Sequence, residues 1–302
     1  MSLFSLLGAL EIGLIFSLVA LGVLISFRIL NFPDLTVDGS FPMGGAVAAT
    51  LIAGGHDPFM STLGGTLAGA VAGFITGWLN VRLKIMDLLA SILMMIALYS
   101  VNLRIMGKPN VPLISEPTVF SLLQPEWMPD YVFRPVLLGV VVVVVKLLVD
   151  WFFSTQIGLS LRATGANPRM ARAQGVATGA ATLAGMALSN ALVALAGALY
   201  AQTQGGADVS MGIGTIVIGL AAVIIGETVL PARRLVLTTL AVVVGAILYR
   251  FFIALALNSD FIGLQAQDLN MVTAALVVIA LVLPGVRRKV FGKFAKTTTK
   301  GN

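Results

Sequence analysis

Residues 135–153 read PVLLGVVVVVVKLLVDWFF. A bilayer core takes about 20 consecutive apolar residues as a helix, and this run meets that length with two charges in it. Lys146 and Asp150 stand four positions apart, where they can pair on one helical face. The pair is read as structural. The composition carries the same message over the whole chain. Of its 302 residues, 58% are hydrophobic and only 11% are charged, and the mean hydropathy is +1.00. A soluble globule of this size could not hide that much apolar surface behind a polar shell. Soluble enzyme, nucleic-acid binder and disordered chain are excluded.

The same length test, moved outward in both directions, gives spans near 5–27, 40–55, 60–80, 86–106, 135–153, 179–203, 212–230, 235–256 and 268–284. The expected fold is all-α: a polytopic membrane helical bundle of about nine transmembrane helices, forming one domain over residues 1–302. Eight or ten spans stay open, because 40–55 is short, glycine-rich and preceded by two aspartates. The runs are too long for the ~10-residue alternating strands of a membrane barrel. The start, Met1-Ser2-Leu3-Phe4, lacks the basic region of a cleaved signal peptide, so the first stretch is expected to be a retained helix.

The net charge of +6 matters less than where the charges lie. Thirteen of the 19 basic residues fall in four clusters: Arg82 and Lys84; Arg162, Arg169 and Arg172; Arg233 and Arg234; and a tail from Arg287 to Lys300. Segments 107–133 and 257–267 carry Glu116, Glu126, Asp130 and Asp260 instead. Nine spans put every basic cluster on one side and both acidic segments on the other. By the positive-inside rule the C-terminus is then expected in the cytoplasm of a multi-pass protein.

Small residues recur at packing distance. Gly65, Gly69, Gly73 and Gly77 line one face of a helix, which lets backbones approach closely in lipid. Asp34-Leu35-Thr36-Val37-Asp38-Gly39 and Asp208-Val209-Ser210-Met211-Gly212 share an order of acid, apolar and hydroxyl residues before a weak span. Two readings stand: chance in a biased composition, or an internal repeat with broken helices.

Little here resembles enzyme chemistry. There is no phosphate-binding glycine loop, no cysteine, and one histidine, His56, in a Gly-Gly-His-Asp-Pro turn. Catalytic residues, a metal site and a cofactor on this chain are not expected. The unusual stretch is 31–42, where Pro33, Gly39 and Pro42 interrupt helix between apolar spans. Irregular backbone at membrane depth survives only when buried in protein or lining a watery cavity. Asn31, Asp34, Thr36 and Asp38 are therefore candidates for a translocation path; the other reading is a short turn with Asp38 as a cap. Gln202, Gln204 and Asp208 are further candidates, able to meet a solute or to cap a helix. Glu11, Asn102 and Asn190 are other polar residues within spans.

Segment 154–178 contains an expected two-turn helix, with Asn167 as its cap, Pro168 in the first helical position and Gly175 as its stop. It is too short to be stable alone, which suggests docking into a partner. Arg162, Ala163, Gly165, Asn167, Ala171, Arg172, Gly175 and Val176 resemble the coupling-loop pattern of bacterial ABC importer permeases, in the branched-chain amino acid, ribose and nucleoside superfamily. The Asp34 to Gly39 stretch resembles the Asp-Leu-Ser-Val-Gly of ribose-type members, with Asp38 as an extra residue. With Asn31-Phe32-Pro33, Gly226-Glu227, Pro231 and Arg233-Arg234, the chain looks nearest to the branch that includes tryptophan and tyrosine import permeases.

The resemblance implies a transport subunit of the bacterial inner membrane. A separate ABC ATPase would bind ATP and Mg, and an external solute-binding protein would deliver the substrate. A second copy of the chain would complete the path. Arg162, Gly165, Asn167, Pro168, Arg169, Ala171, Arg172 and Gly175 would form the ATPase-coupling element. An amino acid is the first expectation for the solute. The competing reading is a single-chain secondary transporter driven by an ion gradient.

Overall fold

The computed structural model describes residues 3–232, 234–257 and 278. Helix α1 (Leu3–Val23) runs into a π-helical stretch (Leu24–Ile29). It is followed by α2 (Val37–Ala53), α3 (Pro58–Leu83), α4 (Asp87–Met106), β1 (Asn110–Pro112), α5 (Val119–Leu123) and α6 (Asp130–Ser154). The rest is α7 (Gln156–Ala166), α8 (Pro168–Ala173), α9 (Thr178–Thr203), β2 (Gly206–Asp208), α10 (Thr215–Val229) and α11 (Leu235–Leu257). Eight of the nine apolar stretches fall on helices; 268–284, apart from Val278, lies outside the described residues. The protein is an all-α, multi-pass membrane bundle.

Six of the described helices are long and apolar enough to cross a membrane; α2 and α10 are apolar but shorter. At 1.5 Å per residue, α2 extends only about 25 Å and α10 less, short of a ~30 Å hydrocarbon core. They are partial spans, and each follows an acid-x-hydroxyl turn. Asp34 Oδ1 accepts from the Thr36 amide at 2.9 Å; Asp208 Oδ1 accepts from the Ser210 amide at 2.8 Å. The same numbering offset that carries Asp34 to Asp208 lands α1 on α9, α2 on α10 and α3 on α11.

The two sets of helices interleave, and their opening helices run in opposite directions. α1 and α9 are antiparallel: Phe16 meets the Tyr200 ring at 6.2 Å, Ser189 donates to the Gly22 carbonyl at 2.7 Å, and Gly185 lies on Leu30. α9 packs on α2 and α3, while α1 packs on α10 and α11, so each long helix closes the other half. The glycine face of α3 makes this possible. A Cβ on Gly69 would lie 2.6 Å from the Asn190 carbonyl oxygen, and one on Gly73 2.2 Å from that of Met186. In lipid such backbone contact is the cohesive force between helices.

Local capping fixes the corners. Asp57 accepts from Phe59 and Met60 amides at 2.9 and 3.0 Å to start α3 behind Pro58, and Lys84 ends it in the left-handed region with φ +57°. Residues 110–112 and 206–208 form a two-stranded antiparallel ladder. At the opposite end of the bundle, the end of α3, the α7 and α8 segment and the start of α9 gather the first two basic clusters.

Candidate translocation and coupling sites

The break between α1 and α2 is interior. Phe32, Asp34 and Thr36 are buried. The π-helical stretch turns the chain inward, with Leu30 and Phe32 amides donating to Ile25 and Ser26 carbonyls, both at 2.9 Å. Asn31 takes φ +57°, which asparagine tolerates better than most non-glycine residues. Asp34 then accepts from Thr36 N on one oxygen and from Asn190 Nδ2 at 2.8 Å on the other. The Asn190 oxygen accepts from Ser40 Oγ at 2.7 Å. The Thr36 and Thr76 hydroxyls share a hydrogen bond at 2.9 Å, and Thr76 also reaches the Ala72 carbonyl at 3.1 Å. Asp34 thus ties the start of α2 to α9 through its carboxylate, and Thr36 carries the network on to α3.

Asp38 does something different. It lies in the first turn of α2, yet its oxygens accept from Ile216 N at 2.8 Å and Gly214 N at 3.2 Å. It therefore caps α10, the equivalent helix of the other half, and favours that helix's positive end. The two partial spans meet start to start. Pro42 has no amide to give the Asp38 carbonyl, and Gly212 packs against that carbonyl; a Cβ there would lie 2.1 Å from it. Beside this junction is a cavity of about 400 Å³ bordered by Asp38, Gly39, Tyr99, Ser100 and Asn102.

The other path candidates are dispersed. Gln202 is buried and bridges Thr62 Oγ1, at 2.8 Å, to Val119 N, at 2.9 Å. Gln204 is exposed beyond the end of α9. Asp208 stands opposite Asn110 in the ladder. The Ser210 hydroxyl and amide hold its carboxyl below the usual range. Asn31 borders a second cavity, about 570 Å³, together with Arg28, Arg162 and Gly165. Asp38 is the path candidate that reaches the first cavity, and Asn31 the one that shares the second cavity with the coupling segment.

That segment is two helices. α7 begins at Thr155, whose hydroxyl accepts from Gly158 N at 3.3 Å. α8 begins at Asn167, whose side chain accepts from Arg169 and Met170 amides, both at 3.1 Å, with Pro168 in the first turn. Its end is a Schellman motif: Val176 N reaches Ala171 O and Gly175 N reaches Arg172 O, both at 3.0 Å, with Gly175 at φ +85°. Ala171 is buried, while Pro168, Arg169, Met170, Arg172 and Gln174 are exposed. Gly165 presses on the end of α1, so that a Cβ would fall 1.8 Å from the Ile29 carbonyl oxygen. Arg28 in turn pairs with Glu227 of α10 at 2.8 Å.

Asn190, Thr76, Tyr99 and Asn102 were not separable as site residues from sequence. Lone polar residues in apolar helices carry no local pattern that names their partners. Lys146 and Asp150 do pair within α6, and Thr239 of α11 donates to Asp150 at 2.7 Å. Among the described residues, no three histidine or carboxylate side chains gather as a metal site would require.

Residues 5–282 match the family model described as the permease component of a branched-chain amino acid transport system. The chain is 39% identical over 274 residues to a tyrosine transport system permease protein of Clostridioides difficile (strain R20291), covering 90% of this chain and 88% of that protein. It is 34% identical over 211 residues to the uncharacterized protein RP368 of Rickettsia prowazekii (strain Madrid E), covering 69% of this chain and 72% of that one. No solved structure matches it.

Proposed function

Because this chain belongs to the family of branched-chain amino acid transport system permease components, we propose that it is the membrane-spanning subunit of an ATP-driven importer of an amino acid. The tyrosine permease relative favours an aromatic one. A separate ABC ATPase binds ATP and Mg on the side of the basic clusters, and a solute-binding protein delivers substrate on the opposite side. Two copies of the chain form the path, in a bacterial inner membrane with the C-terminus in the cytoplasm.

The observation that carries this reading is α8, a six-residue helix capped at both ends and exposed along Arg169, Met170 and Arg172. A helix that short is stable only by its caps and its contacts. Its neighbour Gly165 bears on Ile29, five residues before Asp34. A displacement of the α7 and α8 segment therefore reaches the Asp34 network, and through Asp38 the start of α10. Nucleotide can drive that displacement only if the ATPase contacts this surface differently in its two states.

The test replaces Met170 and Arg172 together by Glu. Both side chains are exposed, so membrane insertion and the thermal unfolding midpoint are expected to stay unchanged, while ATPase co-purification and uptake are lost. Retained co-purification and uptake would refute the docking assignment. Inverted broken helices with buried carboxylates also support a secondary transporter driven by an ion gradient. Uptake into vesicles that needs no ATPase and collapses with an ionophore would select that reading.

A further inference from the structure

The cavity beside Asp38 contains chemistry that the fold leaves unused. Asn102 of α4 is fully buried and borders it. Its amide nitrogen donates to the Gly39 carbonyl at 3.1 Å. A carbonyl can only accept, so this contact fixes which end of the amide carries the nitrogen. The amide oxygen is left over, and among the described residues it has no hydrogen-bond partner. A buried acceptor without a donor is a standing cost that a native site rarely carries for nothing.

Part of the wall matches that acceptor, and Met95, Ile96, Val209 and Ile213 make the remainder apolar. Asp38 brings a carboxylate, and no lysine, arginine or histidine borders the cavity. The α10 amides that bind Asp38 offset part of its charge without supplying a whole positive one. Tyr99 places a half-exposed aromatic ring on the same wall. An acceptor, an anion and a ring face, with no resident cation, suit an ammonium group.

We propose that this cavity binds the primary ammonium group of the transported solute. Asn102 Oδ1 accepts from it, Asp38 supplies the countercharge and Tyr99 covers it. The inference rests on the permease reading and adds a requirement to it: solutes lacking the amine are not held here.

The chain has no cysteine, so Ser100→Cys in the full-length protein, in lipid nanodiscs, puts a single thiol on the cavity wall. Its alkylation by N-ethylmaleimide is timed with L-tyrosine, with tyramine, and with the deaminated analogue hydroxyphenylpropionate. Tyrosine and tyramine are expected to slow it about fivefold or more, and the deaminated acid not at all. Adding Asn102→Leu should abolish the slowing. If that variant does not insert, Tyr99→Ala serves instead and should reduce the slowing about threefold. Equal slowing by the deaminated acid, slowing by sodium chloride alone, no slowing by either amine, or slowing that survives the substitutions would each overturn the amine site. Dependence of uptake on the ATPase is read separately in proteoliposomes. The importer reading can therefore fall while amine protection stands, and the reverse.

Discussion

Asp34 is satisfied by one donor two residues away and another 156 residues away. Asn190→Leu removes the distant donor and also strands the Ser40 hydroxyl. Leaving a buried acceptor without its donor costs about 1–3 kcal/mol, so the thermal unfolding midpoint of the solubilised protein should drop clearly. Gln204→Ala, at an exposed position, should stay within about 0.5 kcal/mol of the parent. Asp208 titrates in a way that can be isolated. Its folded-state pKa is depressed by Ser210, so its contribution is present above the unfolded value and lost as pH falls through the folded one. The midpoint difference between the parent and Asp208→Asn should therefore be flat from neutral pH to about 5 and shrink only below about 4. Local devices at this scale were legible: Asn167 and Gly175 act on neighbours two to five residues away. The Asp34 to Asn190 bond was not, because an asparagine in an apolar helix looks the same whether it is paired or idle.

Among whole elements, the glycine face of α3 is the sharpest test. Gly73→Val drives a side chain into the Met186 carbonyl of α9, and no flexible group can yield there. The variant should fail to give a monodisperse folded species on size exclusion. Gly139 of α6 has open space where a Cβ would go; Gly139→Ala should be neutral or raise stability by up to about 1 kcal/mol through helix propensity. The long spans were legible because a bilayer demands a length of apolar residues that composition reveals directly. α7 was not read as a helix, since its signal is a threonine cap and a buried glycine rather than an apolar run. The π-helical end of α1 and the β1 and β2 ladder were also missed. An i to i+5 bond leaves no periodicity in side chains, and strands of three residues are too short to show any.

Across the whole molecule the halves exchange their opening helices, α1 for α9. A cut in the exposed loop at Glu126 should give fragments that do not fold separately but co-purify through a tag on either one when expressed together. A fragment that shows a cooperative thermal transition by itself would contradict the interleaving. The repeat behind it was only suggested by two acid-x-hydroxyl stretches in the sequence. The meeting of α2 and α10 at Asp38, a contact between residues 176 and 178 positions apart, fits it.

The distance in sequence between Asp34 and Asn190 has a consequence during synthesis. The ribosome must add 156 residues after Asp34 before Asn190 exists, roughly 8–30 s at ordinary translation rates. Throughout that interval the nascent first half carries a carboxylate that lipid will not accept unpaired. Release of the opening helices into the bilayer is therefore expected to follow the arrival of α9, and arrest of nascent chains of increasing length would read that step.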